Sequence, residues 1–195
     1  TPAGIMSAVA AGRHGTKVVL IEPSYLIGGL MSGGLHKTDI GKRDTIGGLS
    51  AEFFKRVMAF YTTTYGAGSP QVKALDYTQD PKTRGGYYFE PKIALQIFRE
   101  MLAEAGVTVR TKEQLQSVDA VAGLIRGLVT RHYETGAETR FTGTVFIDGS
   151  YEGDLMAQAG VLYRVGREAR AEYQESYAGL TEGPAEYLGT GDHRV

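Results

Sequence analysis

Apolar positions recur at helical spacing near the start of the chain. Ile5, Met6, Val9 and Ala10 share one face of a helix predicted over Ala3–His14, and Gly15 stands where a left-handed residue would stop it. Val18–Ile21 is then continuously apolar, the pattern of a parallel strand covered on both faces, and it runs into the acid Glu22. Pro23–Gly48 has no period and is rich in glycine, so it reads as a long loop with short turns. Leu49, Phe53, Val57 and Phe60 restore the helical period and predict a helix over Gly48–Tyr61. Residues 62–87 are polar and broken by Gly66, Gly68, Pro70, Pro81, Gly85 and Gly86, which predicts a mobile excursion from the core. Pro91 sits as a first-turn proline, Ile93, Ile97, Met101 and Leu102 form the buried stripe of a further helix, and Gly106 ends it.

The pattern then shifts to strands. Val107–Arg110 reads as a short one, followed by Leu115–Val121, Gly123–His132 and Ala137–Ile147, with Gly136 turning between the last two. Thr144–Asp148 reads as another buried strand, leading into Gly149–Gly153 and a short helix over Asp154–Ala159 that stops at Gly160. Beyond Val161 the chain is charged and mixed, without a core pattern. Parallel-type strands, helices and an inserted antiparallel β-meander together predict an α/β fold.

Composition narrows the function classes. With 42% hydrophobic and 22% charged residues the chain is globular, and a net charge of -1 removes any general electrostatic case for nucleic acid. There is no cysteine, hence no disulfide, thiolate nucleophile or thiolate–metal site, and no metal is expected. No apolar run approaches the ~20 residues of a membrane helix, so a soluble chain without a membrane segment is expected.

Two features carry chemistry. Gly4 opens the first helix, and Glu22 follows 18 residues later at the end of an apolar strand. A helix N-terminus offers free N–H groups and a positive dipole end to a pyrophosphate, and an acid ~20 residues on accepts hydrogen bonds from a ribose. This is the back half of a Rossmann-type βαβ unit. It places Thr1 inside the phosphate loop, with the unit's first strand expected before it. The second feature is Gly28-Gly29 with Gly33-Gly34, set among the apolar Leu26, Ile27, Leu30, Met31 and Leu35. Glycines let backbone amides approach a phosphate or ring, and the apolar neighbours argue against a solvated loop.

The run from Glu22-Pro23 through Ile27–Leu35, Thr38-Asp39, Gly41–Arg43 and Ile46–Leu49 resembles the FAD-dependent oxidoreductases akin to the fumarate reductase and succinate dehydrogenase flavoproteins. Phe146–Leu155 resembles that family's second strand-loop contact, with Gly149-Ser150-Tyr151 where Ala-Thr-Gly is common, and Tyr163–Glu168 also looks family-like. The resemblance implies FAD in extended form on a Rossmann-like domain with a parallel sheet and an inserted β-meander. It implies that Pro2, Ala3 and Gly4 contact the pyrophosphate, that Glu22 and Pro23 lie at the adenosine ribose, and that Gly28 and Gly29 line the pyrophosphate and ribitol. Met31, Ser32, Gly33 and Gly34 would approach the isoalloxazine, Leu115 and Val118 would flank the adenine, and Asp148 and Gly149 would end a strand near the cofactor. The expected organisation is a partial FAD/dinucleotide-binding domain over 1–165, its first strand missing and with a loop excursion at 62–90. Residues 166–195 would begin a substrate or linking region.

Flavin chemistry belongs to the cofactor, and the protein supplies binding, orientation and electrostatics. The expected reaction passes a hydride between a small organic substrate and the flavin. His36 and Arg43 follow the glycine loop, and Arg167 is a guanidinium suited to a carboxylate. These three are the catalytic candidates, although a solvated surface charge is the simpler reading of each one singly. Two alternatives stand beside this reading: a non-redox adenine-nucleotide (NAD-type) binding module, and an inactive truncation.

Overall fold

The computed structural model describes residues 1–76, 85–175 and 178–179. The chain divides into two compact units, Thr1–Gly160 and Val161–Val195.

Helix α1 (Pro2–Arg13) begins one residue before the expected Ala3. Thr1 is the N-cap, its Oγ1 accepts the Gly4 amide, and Pro2 takes a first-turn position where its missing N–H costs nothing. Gly15, at φ +81°, is the expected left-handed stop. Strand β1 (Val19–Glu22) pairs in parallel with β2 (Thr108–Thr111), Glu22 opposite Thr111. The sheet they form is covered on one face rather than two. Val18 and Leu20 pack on the core, but Val19 is 39% exposed, so the expectation of a doubly covered strand is corrected.

The core is helical. Helix α3 (Gly48–Tyr65) buries Phe53, Phe54, Val57 and Tyr61, and α5 (Pro91–Glu104) buries Ile93, Ala94, Ile97, Phe98, Met101 and Leu102. Phe53 and Phe98 stack with centroids 4.6 Å apart, and Phe89 meets Phe53 edge-on at 5.7 Å. Helix α1 adds Ile5, Ala8 and Val9. It approaches α5 so closely that a Cβ on Gly12 would lie 2.3 Å from the Ala105 carbonyl oxygen.

The region expected as a loop excursion at 62–90 is partly structured. α3 continues through Tyr65, and α4 (Pro70–Lys73) is capped by Ser69, whose Oγ accepts the Val72 amide at 3.2 Å. Val72, Leu75 and Asp76 are buried. Residues 87–89 return alongside 36–38, through Thr38 N–H to Tyr87 O at 3.1 Å and Phe89 N–H to His36 O at 2.9 Å. Residues 77–84 of that expectation lie outside the described residues. A helix period carried into polar residues hides its last turn from a hydrophobic reading, which is why Thr62–Tyr65 read as loop.

An ion network fastens the three helices. Arg13 chelates Glu52 at 2.6 and 2.7 Å, and Arg56 bonds Glu52 at 2.8 Å and Glu104 at 2.6 Å. The Arg13 hydrogen bonds, opposed by burial and helped by Arg56, bring the Glu52 carboxyl from 4.5 down to about 2. A carboxyl depressed on folding stabilises the native state above its unfolded pKa, and that contribution is lost as pH falls through the folded one. Between about pH 4.5 and 2 the wild type is therefore expected to lose more thermal stability than Glu52→Gln, and melting curves across that range check it. At neutral pH wild type should be the more stable of the two, by at most ~1 kcal/mol per partly exposed pair, and the two should converge as the pH approaches 2.

The antiparallel layer is β3 (Glu113–Val121), β4 (Leu124–His132) and β5 (Glu138–Phe141), in the order β3-β4-β5. Ala122 and Gly123, at φ +51° and +78°, close the first hairpin, the two positive φ values of a primed turn. Glu113, 1% exposed, anchors the layer by accepting Thr130 Oγ1–H at 2.6 Å and Arg110 Nη2–H at 2.8 Å. β5 stops at Phe141, and Thr144–Asp148 is not a strand. Val145 and Ile147 are 76% and 60% exposed, and no strand pairs with this run among the described residues. An apolar alternation becomes a strand only when a partner takes its backbone hydrogen bonds. Helix α6 (Asp154–Gln158) follows as expected. The second unit contains α7 (Arg170–Tyr173), with an Arg164–Glu172 ion pair.

Candidate functional site

The site residues cluster where two helix N-termini meet the loop that follows Phe146. At the first, Thr1 Oγ1 donates to the Gly149 carbonyl while accepting from Gly4 N–H. A Cβ on Gly149 would stand 2.6 Å from Gly4 Cα, so the two backbones are in direct contact. The amides of Ala3 and Gly149 have no acceptor among the described residues. They are open donors beside the positive end of a 12-residue helix.

The second is α2 (Gly29–Gly33), a short helix inside the region expected as loop. Gly28 caps it at φ +101°, where a side chain would also meet the Phe98 ring at 2.7 Å and Ser32 Oγ at 2.8 Å. Gly29, at φ +54°, faces Tyr151, whose hydroxyl oxygen would lie 2.5 Å from a Cβ there. That hydroxyl accepts the Leu30 amide at 3.0 Å. The first glycine pair is thus required by the protein's own packing. Gly33 differs. It has no positive φ and nothing within 4 Å of a Cβ position, so the fold itself gives no reason for a glycine.

Between them, Glu22 ends β1. Its Oε1 accepts Ser24 N–H at 2.9 Å, and Oε2 has no partner among the described residues. The Ser24 carbonyl accepts Lys112 N–H at 2.9 Å, which joins this turn to the start of the meander carrying Leu115 and Val118, both half-buried. Pro23 is exposed beside Glu22.

Several expected roles change with the geometry. Ser32 is buried and its hydroxyl donates to the Ile27 carbonyl, so its side chain holds α2 closed instead of facing a ligand. Met31 packs against the core. Asp148 is spent internally: Oδ1 accepts Ser150 N–H at 2.9 Å and Ser150 Oγ–H at 2.7 Å, and Oδ2 accepts Met156 N–H at 2.9 Å. Burial pushes its carboxyl up, but these hydrogen bonds outweigh burial and leave it below the ordinary value. It therefore shapes the loop that carries Gly149. Arg43 is paired with the fully buried Asp76 carboxylate, Nε to Oδ2 at 3.1 Å, and lies 5.5 Å from the Tyr87 ring centroid. This pairing fastens the 36–48 segment to Asp76. His36 is exposed next to Gly33 and Gly34 in sequence. Arg167 lies exposed in the second unit. Thr1 and Tyr151 were missed. Thr-Pro is a readable cap signal for the first, but no local signal marks the second, whose partner is 121 residues away.

The open amides of Ala3 and Gly149 beside the N-terminus of α1, with a carboxylate oxygen open at the end of the adjacent strand, suit a diphosphate linked to a ribose. The residues present therefore fit the adenosine–pyrophosphate part of FAD. Among solved structures, the chain is similar to a myxobacterial FAD-dependent halogenase, CndH, at 17% identity and TM-score 0.44, over 73% of this chain and 33% of that one. It is also similar to a 3-ketosteroid-Δ4-(5α)-dehydrogenase from Rhodococcus jostii RHA1, at 17% identity and TM-score 0.42, over 74% of this chain and 42% of that one. The chain thus spans less than half the length of either. No protein with a curated description matches. The model of the FAD dependent oxidoreductase family matches residues 1–190, and the chain belongs to that family.

Proposed function

We propose that this chain is the FAD-holding part of an oxidoreductase that passes a hydride between a small organic substrate and the flavin. The observation that carries the reading is the backbone contact of Gly149 with Gly4, which sets the open Ala3 and Gly149 amides at the N-terminus of α1. In this reading Ala3, Gly4 and Gly149 hold the pyrophosphate, and Glu22 Oε2 accepts the ribose hydroxyls. The backbone of Leu115–Val118 flanks the adenine. Gly28-Gly29 and Leu30 line the ribitol on the flavin side of the pyrophosphate, and Gly33-Gly34 lie along the ring. FAD supplies the redox centre. The chain orients it and excludes water from one side. His36, Arg43 and Arg167 are the candidates for handling the substrate, and residues 166–195 would begin a substrate or linking region.

The purified protein, with no cofactor added, is expected to absorb near ~370 and ~450 nm, the bands of an oxidised flavin. A colourless protein that also fails to take up added FAD overturns the reading. Glu22→Ala should weaken FAD binding about 10- to 100-fold, the range for a hydrogen bond to a charged group. Unchanged affinity in a titration would remove Glu22 from the site.

A further inference from the structure

Tyr151 joins two parts of the site that are far apart in sequence. Its hydroxyl accepts the Leu30 amide at 3.0 Å, and its ring fills the space a Cβ on Gly29 would need. Two residues earlier, Gly149 is pressed against Gly4 and held by Thr1. The stretch between is kept in shape by Asp148, which binds Ser150 and the first turn of α6. Three consecutive residues, Gly149–Tyr151, therefore run from the N-terminus of α1 to the N-terminus of α2. The α1 end of that strap is backbone against backbone and cannot adjust. Its α2 end is one phenol on one amide, at a side chain that is 57% exposed.

Exposure matters here. A tyrosine left mostly in water gains little from burial, so its contribution to folding is small. What it does contribute is direction: the hydroxyl reaches a backbone amide in a turn where Gly28 and Gly29 are both in positive φ. Residues of that kind have soft alternatives, and this contact adds to the Ser32–Ile27 hydrogen bond in selecting among them.

We infer that Tyr151 is a positioning residue, setting the Gly28–Leu30 turn at a fixed spacing from the Gly4–Gly149 contact so that one extended dinucleotide spans both. The inference rests on the cofactor reading above. It separates ligands by length. ADP lies on the Glu22, Gly4 and Gly149 side, whereas FAD continues past it to the Gly28–Leu30 turn.

The test is calorimetric titration of FAD and of ADP into cofactor-free protein, wild type and Tyr151→Phe, with melting temperatures alongside. Phenylalanine keeps the ring against Gly29 and removes only the hydrogen bond. FAD affinity should fall about 3- to 10-fold, with ADP affinity held within about twofold, as one neutral hydrogen bond allows. The melting temperature should stay within about 2 °C. Equal losses for FAD and ADP, or a large fall in melting temperature, would make Tyr151 merely structural and overturn the inference. Unchanged FAD affinity would overturn it as well. If the wild type binds neither ligand, the cofactor reading itself has failed.

Discussion

Gly149→Ala is expected to abolish measurable FAD binding and to lower the melting temperature by several degrees. The added methyl would stand 2.6 Å from Gly4 Cα and 3.1 Å from Gly4 N. Both are backbone atoms of a helix first turn, so no side chain can rotate away. Either α1 shifts or the loop after Phe146 lifts off it. Overpacking commonly costs ~1–3 kcal/mol, and contact with rigid backbone belongs at the upper end. In a chain of this length 3 kcal/mol corresponds to roughly 6–12 °C. Binding should suffer more than stability, because the strain falls on the amides assigned to the pyrophosphate. The reverse substitution is a control. A Cβ on Gly4 would lie 3.4 Å from Gly149 Cα, an ordinary contact, so Gly4→Ala should fold with little loss. Thermal melts and FAD titrations of both variants measure this, and a Gly149→Ala protein that melts and binds like wild type would refute the close packing.

The second large effect divides the glycines of the loop. Gly28→Ala meets two obstacles together: φ +101°, outside what an alanine tolerates, and the Phe98 ring at 2.7 Å. Phe98 is fully buried and stacked on Phe53, so it cannot yield without opening the core. A strained backbone of this kind costs ~1–3 kcal/mol and the clash adds about as much, so the expected loss is about 3 kcal/mol or more. Gly33→Ala goes the other way. Its backbone is helical, its Cβ would point into open space, and alanine favours a helix by up to ~1 kcal/mol over glycine. Gly33→Ala should therefore be as stable as wild type or more so, yet bind FAD less tightly if the flavin lies against it. Denaturant melts paired with FAD titration separate the two effects. A Gly33→Ala protein with wild-type affinity would remove Gly33 from the cofactor's path.

This contrast adds to what the glycine pattern alone implies. Gly28-Gly29 and Gly33-Gly34 look alike along the chain, and both read as room for a ligand. The first pair has a packing reason of its own in Phe98, Ser32 and Tyr151, and neither Phe98 nor Tyr151 is near it in sequence. Ser32, Met31 and Arg43 teach the same lesson. Each stands in the motif region, and each is turned inward to hold the loop rather than outward to serve it.

Local chemistry was enough for much of the rest. The apolar face of α1 and its stop at Gly15 were legible because a helical period and a left-handed residue act within a few positions, whereas the Thr1 cap was not read. The stripes on α3 and α5 are legible because burial on one face must repeat every three to four residues. The β1–Glu22 end and the meander are legible for the same kind of reason, since alternation and turn residues are short-range signals. The family, too, was readable from the Glu22–Leu35 run, and the match over residues 1–190 agrees.

Tertiary structure alone decided three things. It left Thr144–Asp148 unpaired, because a strand depends on a neighbour and not on its own composition. It placed Gly149 on Gly4, because close approach is a relation between two backbones 145 residues apart. It put the Tyr151 hydroxyl on the Leu30 amide, because a neutral hydrogen bond leaves no mark on the pattern of apolar and polar positions. Periodicity records which side of an element is buried. What is buried against it, and what is left open for a ligand, depends on segments that meet only when the chain has folded.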